Sequence, residues 1–132
     1  NSMWYEKNLN SIFSQKYENF RVIFIDDAST DGLSDLVERH VKNCNQESRF
    51  TLIRNQLHRG SVANIYKAVW LCDPNEIVVQ LDGDDWLAHD WVLARLNQEY
   101  ADSDVWMTYG QFMYYPCGSP GWSAQVPLEI IH

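Results

Sequence analysis

The sequence is short of positive charge, because its 132 residues carry 10 Lys and Arg against 18 Asp and Glu, a formal net charge of −8. This balance argues against a nucleic-acid backbone as partner, since phosphate contacts require clustered Lys and Arg. Cysteines are few and odd in number (Cys44, Cys72 and Cys117), and no CxxC pair occurs. A complete disulfide framework is therefore excluded, and a reducing compartment is the simpler expectation.

Several longer patterns are also missing. No apolar run approaches the roughly 20 residues of a membrane-spanning helix, so we predict no transmembrane segment and a cytoplasmic location. Membrane association through other parts of a longer protein stays open. The loops GxGxxG and GxxxxGK[ST] are absent, as is a GxSxG elbow. Dinucleotide-binding, P-loop and serine-hydrolase classes therefore have no support.

The sequence does have the apolar content of a folded domain, with 45% hydrophobic residues and six Trp. Its length suits a single domain over residues 1–132. Short apolar runs alternate with segments of helical periodicity, which predicts an α/β fold with a mostly parallel sheet and helices on both faces. The predicted strands are 21–25, 50–53, 76–81 and 104–109; the predicted helices are 3–14, 33–44, one capped by Ser61 and one capped by Asp90; a long loop begins at Gly110.

An acidic turn, Asp82-Gly83-Asp84-Asp85, directly follows the run EIVVQL. A strand that ends in Asp-x-Asp directs two carboxylates into one crevice, and Gly83 allows a tight turn. Carboxylates held together repel each other, and a divalent cation relieves that repulsion. Mg²⁺ or Mn²⁺ favours such ligands together with phosphate oxygens. The alternative is a solvated acidic turn that caps the next helix.

A second polar turn, with Asp26, Asp27 and Ser29, follows the run RVIFI. Its carboxylates can accept hydrogen bonds from a base or a ribose, although an Asx or Ser/Thr turn needs the same residue types. Arg59 precedes a predicted helix and can hold a phosphate there, or lie on a solvated loop. Because ligands of such sheets bind beyond the carboxyl ends of the strands, we expect both acidic turns and Arg59 at one edge.

A calcium loop is a rival interpretation of the first acidic turn. From Asp27 to Glu38 the spacing nearly satisfies an EF-hand, with Gly32 at the sixth position. The run before Asp27 is typical of a strand, where an EF-hand requires a helix. Ser34 also stands where an apolar residue normally pairs with a partner loop, and no second loop starts at Asp82.

Three segments together resemble family 2 glycosyltransferases of the GT-A fold: RVIFIDDASTDGL (21–33), NQLHRGSVANIYKAV (55–69) and IVVQLDGDDWL (77–87). They occur in family order and spacing, and the likeness covers roughly residues 4–131. The resemblance implies a Rossmann-like GT-A domain and a nucleotide-diphosphate sugar donor, usually UDP-linked. It also implies Mn²⁺ or Mg²⁺ as cofactor and inverting transfer to a glycan or other acceptor.

The resemblance also assigns roles by position. It implies that Asp26 and Asp27 contact uracil and ribose, that Arg59 contacts the donor, and that the acidic turn binds ribose and metal. The nucleotide-sugar residues are then Asp26, Asp27, Ser29, Arg59, Asp82 and Gly83, and the metal ligands are Asp84, Asp82 and Asp85.

Two features of the family have no counterpart in this sequence. The strand and loop that flank the base in the family are not found before Asn1. The family's general base is a carboxylate downstream of the acidic turn, and the surroundings of Glu129, the last acid, do not match it. We therefore name no catalytic base and expect a nucleotide-sugar-binding part truncated at both ends. A non-catalytic relic is a further alternative, and Trp86 and Trp122 are candidates for stacking on a sugar ring.

Overall fold

The computed structural model describes residues 2–121 of the chain. Helices and strands alternate in its first half, which confirms the predicted α/β class. The elements are α1 (Tyr5–Phe13), β1 (Val22–Asp26), α2 (Leu33–Asn43), a 3₁₀ turn (Glu47–Arg49), β2 (Phe50–Arg54), α3 (Ser61–Val69) and α4 (Val92–Glu99). No helix in the described part of the chain is long and apolar enough to cross a membrane.

The sheet consists of β1 and β2, which pair in parallel from Val22 opposite Phe50 to Asp26 opposite Arg54. A parallel pair requires a crossover connection, and α2 supplies it. Both strands therefore end at the same edge, where the amide of Asn55 donates to the carbonyl of Asp26 at 2.9 Å. This register places the turn that follows β1 beside the loop that follows β2.

The core lies between the two first helices and the sheet. Leu9 of α1 and Val37 of α2 are fully buried. Their neighbours in the core recur at helical spacing, so each helix presents one apolar side to the other. The remaining buried members are Tyr5, Leu33 and Val41, and the strand residues Phe24, Phe50 and Leu52 pack against the cluster.

The predicted strands at 76–81 and 104–109 are wrong, because the described residues form a sheet of two strands only. The apolar side chains of Ile77, Val78 and Val79 are 40%, 48% and 41% exposed. An apolar β-branched run has the side chains of a strand, but a strand forms only where a neighbour pairs with its N–H and C=O groups. No strand of the described residues pairs with either run.

Two predicted helix caps are also wrong. Ser61 is the first residue of α3, and Gly60 holds the preceding position with a φ of 83°. That left-handed φ suits glycine, because a Cβ is strained there. Helix α4 begins at Val92 after Trp91, so Asp90 does not cap it. The predicted loop from Gly110 is confirmed as far as residue 121. Within it, one isolated antiparallel bridge joins Met113 and Pro120.

The run 76–81 is tied to the sheet at its first residue. The guanidinium of Arg21, just before β1, donates to both carboxylate oxygens of Glu76 at 2.7 and 2.6 Å and to the carbonyl of Leu71 at 2.7 Å. This two-pronged ion pair holds the pKa of Glu76 down to about 2. It fixes the start of the run that leads to the acidic turn.

Candidate functional site

The acidic turn Asp82–Asp85 is held by a side chain of α1. The amide nitrogen Nδ2 of Asn8 donates to the carbonyls of Asp82 at 2.9 Å and Asp85 at 2.8 Å. Within the turn, the amide of Asp85 donates to the carbonyl of Asp82 at 3.1 Å. Asn8 is 3% exposed, whereas Asp82, Asp84 and Asp85 are exposed. The backbone is thus fixed from inside while the carboxylates remain accessible.

The carboxylates of this turn repel one another. Partial burial raises the pKa of the Asp85 carboxyl, and the charges of Asp84 and Asp82 raise it further. A divalent cation would relieve this repulsion, and carboxylate oxygens are the ligands that Mg²⁺ prefers. Among residues 2–121, no three His, Cys, Asp or Glu side chains are already grouped to hold a metal ion. The three carboxylates of the turn have the chemistry of ligands for a hard cation, but they do not converge on one point in this arrangement.

Asp26 serves the turn that it starts. Its carboxylate is 5% exposed and accepts hydrogen bonds from the amide of Ser29 at 2.9 Å and from the hydroxyl of Ser34. Burial raises the pKa of Asp26, but the hydrogen bonds from Ser29 and Ser34 outweigh it, so the pKa lies below its usual range. For Asp26, the structure shows the Asx-type turn that the sequence left open.

Asp27 joins this turn to the loop that follows β2. Its carboxylate accepts from Nδ2 of Asn55 at 2.8 Å and from the amides of Arg59 and Gly60 at 2.9 and 2.8 Å. Nδ1 of His58 lies 2.9 Å from the same carboxylate, whose side chain is 19% exposed. The hydrogen bond from Asn55, followed by those from the two amides, holds the pKa of Asp27 well below its usual range.

We expect Asp27→Asn to lower the free energy of unfolding at pH 7, because the amide replaces one of the two accepting oxygens with an NH2 group that faces other donors. The pKa of Asp27 is depressed in the folded state, so its contribution is fully present above the unfolded pKa of about 3.9 and declines as the pH falls from there through the folded pKa. Urea unfolding of both proteins between pH 7 and pH 3 should therefore show a difference that shrinks with acid. Asp104→Asn, at an exposed carboxylate, is the matched control; a pH-independent difference for Asp27→Asn would contradict the assignment.

Arg59 contributes its backbone to Asp27 and its side chain to a cavity of about 470 Å³ at the end of β2. The lining is cationic and amidic and holds no carboxylate: Arg54, Asn55, Gln56, Arg59, Ala63, Asn64 and Lys67. Arg54 is already paired with Asp35 and Glu38 at 3.2 and 2.8 Å. Arg59 and Lys67 remain to attract an anion.

The structure brings some of the predicted residues together and keeps others apart. Asp26, Asp27 and Arg59 meet at the end of the sheet through the hydrogen bonds given above. Within residues 2–121, no hydrogen bond or ion pair links this group to the turn Asp82–Asp85. The sequence placed both groups at one sheet edge through the strand 76–81, and that strand is not formed.

Polar residues on and just after α1 support the site but were not predicted from the sequence. Besides Asn8, the hydroxyl of Ser11 accepts from the amide of Leu87 at 3.0 Å. The Gln15 side chain donates to the carbonyl of His89 at 2.7 Å and accepts from the amide of Leu93 at 3.0 Å. The signal was present in the sequence, since Asn8, Ser11 and Gln15 recur at helical spacing along one edge of the apolar side.

Trp86, a candidate sugar platform, lies in an aromatic cluster. The ammonium of Lys7 lies 3.7 Å from the ring centroid of Trp86 and 3.6 Å from that of Tyr115. The centroids of Trp86 and Tyr115 are 5.1 Å apart, and Trp4 lies 5.9 Å from both. The face of Trp86 under Lys7 is therefore closed to a sugar. The other candidate, Trp122, and also Glu129, lie outside the described residues.

The calcium-loop alternative is not supported by the described structure. Asp27 follows a β-strand rather than a helix, and its carboxylate binds the loop after β2. Glu38, which an EF-hand would use for calcium, is paired with Arg54 at 2.8 Å.

A sequence model of glycosyl transferase family 2 matches residues 5–127. The chain belongs to this family. It is also similar to the putative colanic acid biosynthesis glycosyl transferase WcaA of Escherichia coli, with 29% identity over 125 residues. This match covers 92% of the chain and 42% of that protein, so the chain spans less than half the length of this relative. No solved structure matches the chain.

Membership in family 2 confirms the resemblance drawn from the three segments. The α/β arrangement with a parallel strand pair agrees with a GT-A domain. Glycosyl transfer is the general activity of this family.

Proposed function

We propose that residues 1–132 are the nucleotide-sugar-binding domain of an inverting glycosyltransferase that uses a UDP-sugar donor and Mn²⁺ or Mg²⁺. The observation that carries the proposal is the acidic turn, whose backbone is fixed by Asn8 while its three carboxylates remain exposed. Three carboxylates within four consecutive residues repel one another, and this repulsion favours a bound cation. The acceptor is a glycan or another hydroxyl-bearing molecule.

In this proposal, Asp84 and Asp85 hold the cation, and Asp82 divides its carboxylate between the cation and the ribose. The bound cation would neutralise the charge that develops on the leaving diphosphate. Gly83 leaves the backbone open to the ligand, since it has no side chain.

The turn after β1 and the loop after β2 hold the nucleotide. Asp26 shapes the turn through the amide of Ser29, and the exposed Ser29 lies in the part of the turn that we assign to the donor. Asp27 fixes the loop that carries Arg59, and its remaining exposed fraction provides an acceptor for uracil or ribose. Arg59 supports the proposal by its charge, because a guanidinium pairs with phosphate oxygens.

The test is thermal unfolding of the full-length protein with Mn²⁺, UDP, or both. We expect the largest rise in Tm when both are present, because each ligand completes the other's site. Ligand at 100 times its Kd stabilises the folded state by about 2.7 kcal/mol. ADP with Mn²⁺ is the control for base selectivity.

Three other outcomes would overturn the proposal. Failure of all common nucleoside diphosphates to raise Tm would point to a non-catalytic relic. A rise with calcium alone that is lost in Glu38→Gln and kept in Asp84→Ala would restore the calcium-loop alternative. An equal rise with ADP and UDP would remove the uridine assignment.

A further inference from the structure

Side chains of α1 and of Gln15, two residues after its end, form a row of hydrogen bonds to residues 82–93. Asn8 donates to the carbonyls of Asp82 and Asp85 at 2.9 and 2.8 Å. Ser11 and Gln15 then bind the backbone at 87, 89 and 93, at 3.0, 2.7 and 3.0 Å. Asn8 and Gln15 are 3% and 8% exposed, so water cannot readily replace these bonds.

The helix that carries this row is itself fixed by the core. Leu9, next to Asn8, is fully buried and belongs to the same cluster as Val37 of α2. No strand of the described residues pairs with 76–81, and the run is held beside the sheet at its first residue by the Arg21–Glu76 ion pair. At the acidic turn itself, the contacts with the helices and the core come from Asn8 of α1.

Asn8 binds the turn at its first and last residues. Its two donated bonds span Gly83 and Asp84, so the amide closes the turn through its backbone while the carboxylates stay exposed. Without the Asn8 amide, the carbonyls of Asp82 and Asp85 would each lose a hydrogen-bond donor in a position that water reaches poorly. This loss favours rearrangement of the turn. The directions of the Asp84 and Asp85 side chains would change with it.

We propose that Asn8 is a positioning residue for the metal and donor site, and that Ser11 and Gln15 extend its action to residues 87–93. The inference rests on the proposed function of Asp82–Asp85. Asn8 acts through backbone carbonyls and does not contact the cation. Groups that orient metal ligands from outside the coordination sphere commonly change metal affinity by roughly 10- to 100-fold when replaced.

The test is Asn8→Leu in the full-length protein, a change that keeps the size of the side chain and removes both donors without adding charge. Mn²⁺ is the probe, and its affinity is measured from the loss of the free Mn²⁺ signal in electron paramagnetic resonance. We expect affinity to fall roughly 10- to 100-fold. Asn10→Leu, at an exposed position of the same helix, is the control and should bind as the wild type does.

A second measurement separates positioning from general loss of stability. Amide exchange by NMR should show faster exchange at Asp85 and Leu87 in Asn8→Leu, while amides of the β1–β2 pair keep wild-type protection. Uniformly faster exchange, or equal weakening of Mn²⁺ binding in Asn10→Leu, would overturn the inference. If Asn8→Leu does not fold, Ser11→Ala replaces it, with weaker Mn²⁺ binding and faster exchange at Leu87 expected; wild-type values for both would again overturn it.

The outcome also distinguishes this inference from the proposed function. Wild-type affinity for Mn²⁺ in a folded Asn8→Leu would overturn the positioning role alone. Absence of Mn²⁺ binding by the wild-type protein would overturn the metal site, and the positioning role with it.

Discussion

Asp84→Ala is expected to abolish the rise in Tm that Mn²⁺ and UDP produce together. Its carboxylate lies in the middle of the acidic turn and is exposed, so it is available to a cation. Partial burial and the neighbouring charges of Asp84 and Asp82 raise the pKa of Asp85, so removing Asp84 takes away one source of repulsion. The unliganded variant should therefore be no less stable than the wild type, which separates a lost site from a lost fold.

The measurement is a set of melting curves without ligand, with Mn²⁺, with UDP and with both. Asp104→Ala, at an exposed acid outside the turn, should keep the full ligand-dependent rise. Asp85→Ala, examined in the same way, decides which of the two neighbouring carboxylates is the main ligand. A full rise in Asp84→Ala would remove Asp84 from the site.

Leu9→Ala is expected to lower the free energy of unfolding by about 2–5 kcal/mol, the usual cost of truncating a buried leucine. Leu9 has 0% exposure and lies in a small core with Tyr5, Leu33, Val37 and Val41. Domains have total stabilities of about 5–15 kcal/mol, so the change removes a large fraction. Because Leu9 anchors α1, we also expect weaker Mn²⁺ binding at the turn that Asn8 holds.

Urea unfolding checks this expectation directly. Leu57→Ala makes the same chemical change at a leucine that is 66% exposed, and such surface changes usually stay within about 0.5 kcal/mol. Equal destabilisation by the two substitutions would show that the packing around Leu9 does not hold the domain together.

The sequence predicted the first half of the fold well. The apolar spacing of α2 and the runs that became β1 and β2 were visible locally, because each element buries one side or lies beside a partner strand. The runs RVIFI and EIVVQL have similar composition, yet only the first forms a strand. The difference is a pairing neighbour, and local composition does not encode a neighbour.

For the site, the sequence determined which chemical groups are present, because Asp82, Asp84 and Asp85 stand at close spacing. That these repelling carboxylates bind a cation stays a prediction. Only the tertiary structure decided the supporting contacts. Asp27 meets the amide of Gly60, 33 residues away, and Asn8 meets the carbonyl of Asp85, 77 residues away. Such partners are chosen by strand register and helix packing, which depend on the whole chain, whereas residue type and spacing describe only a few neighbouring positions.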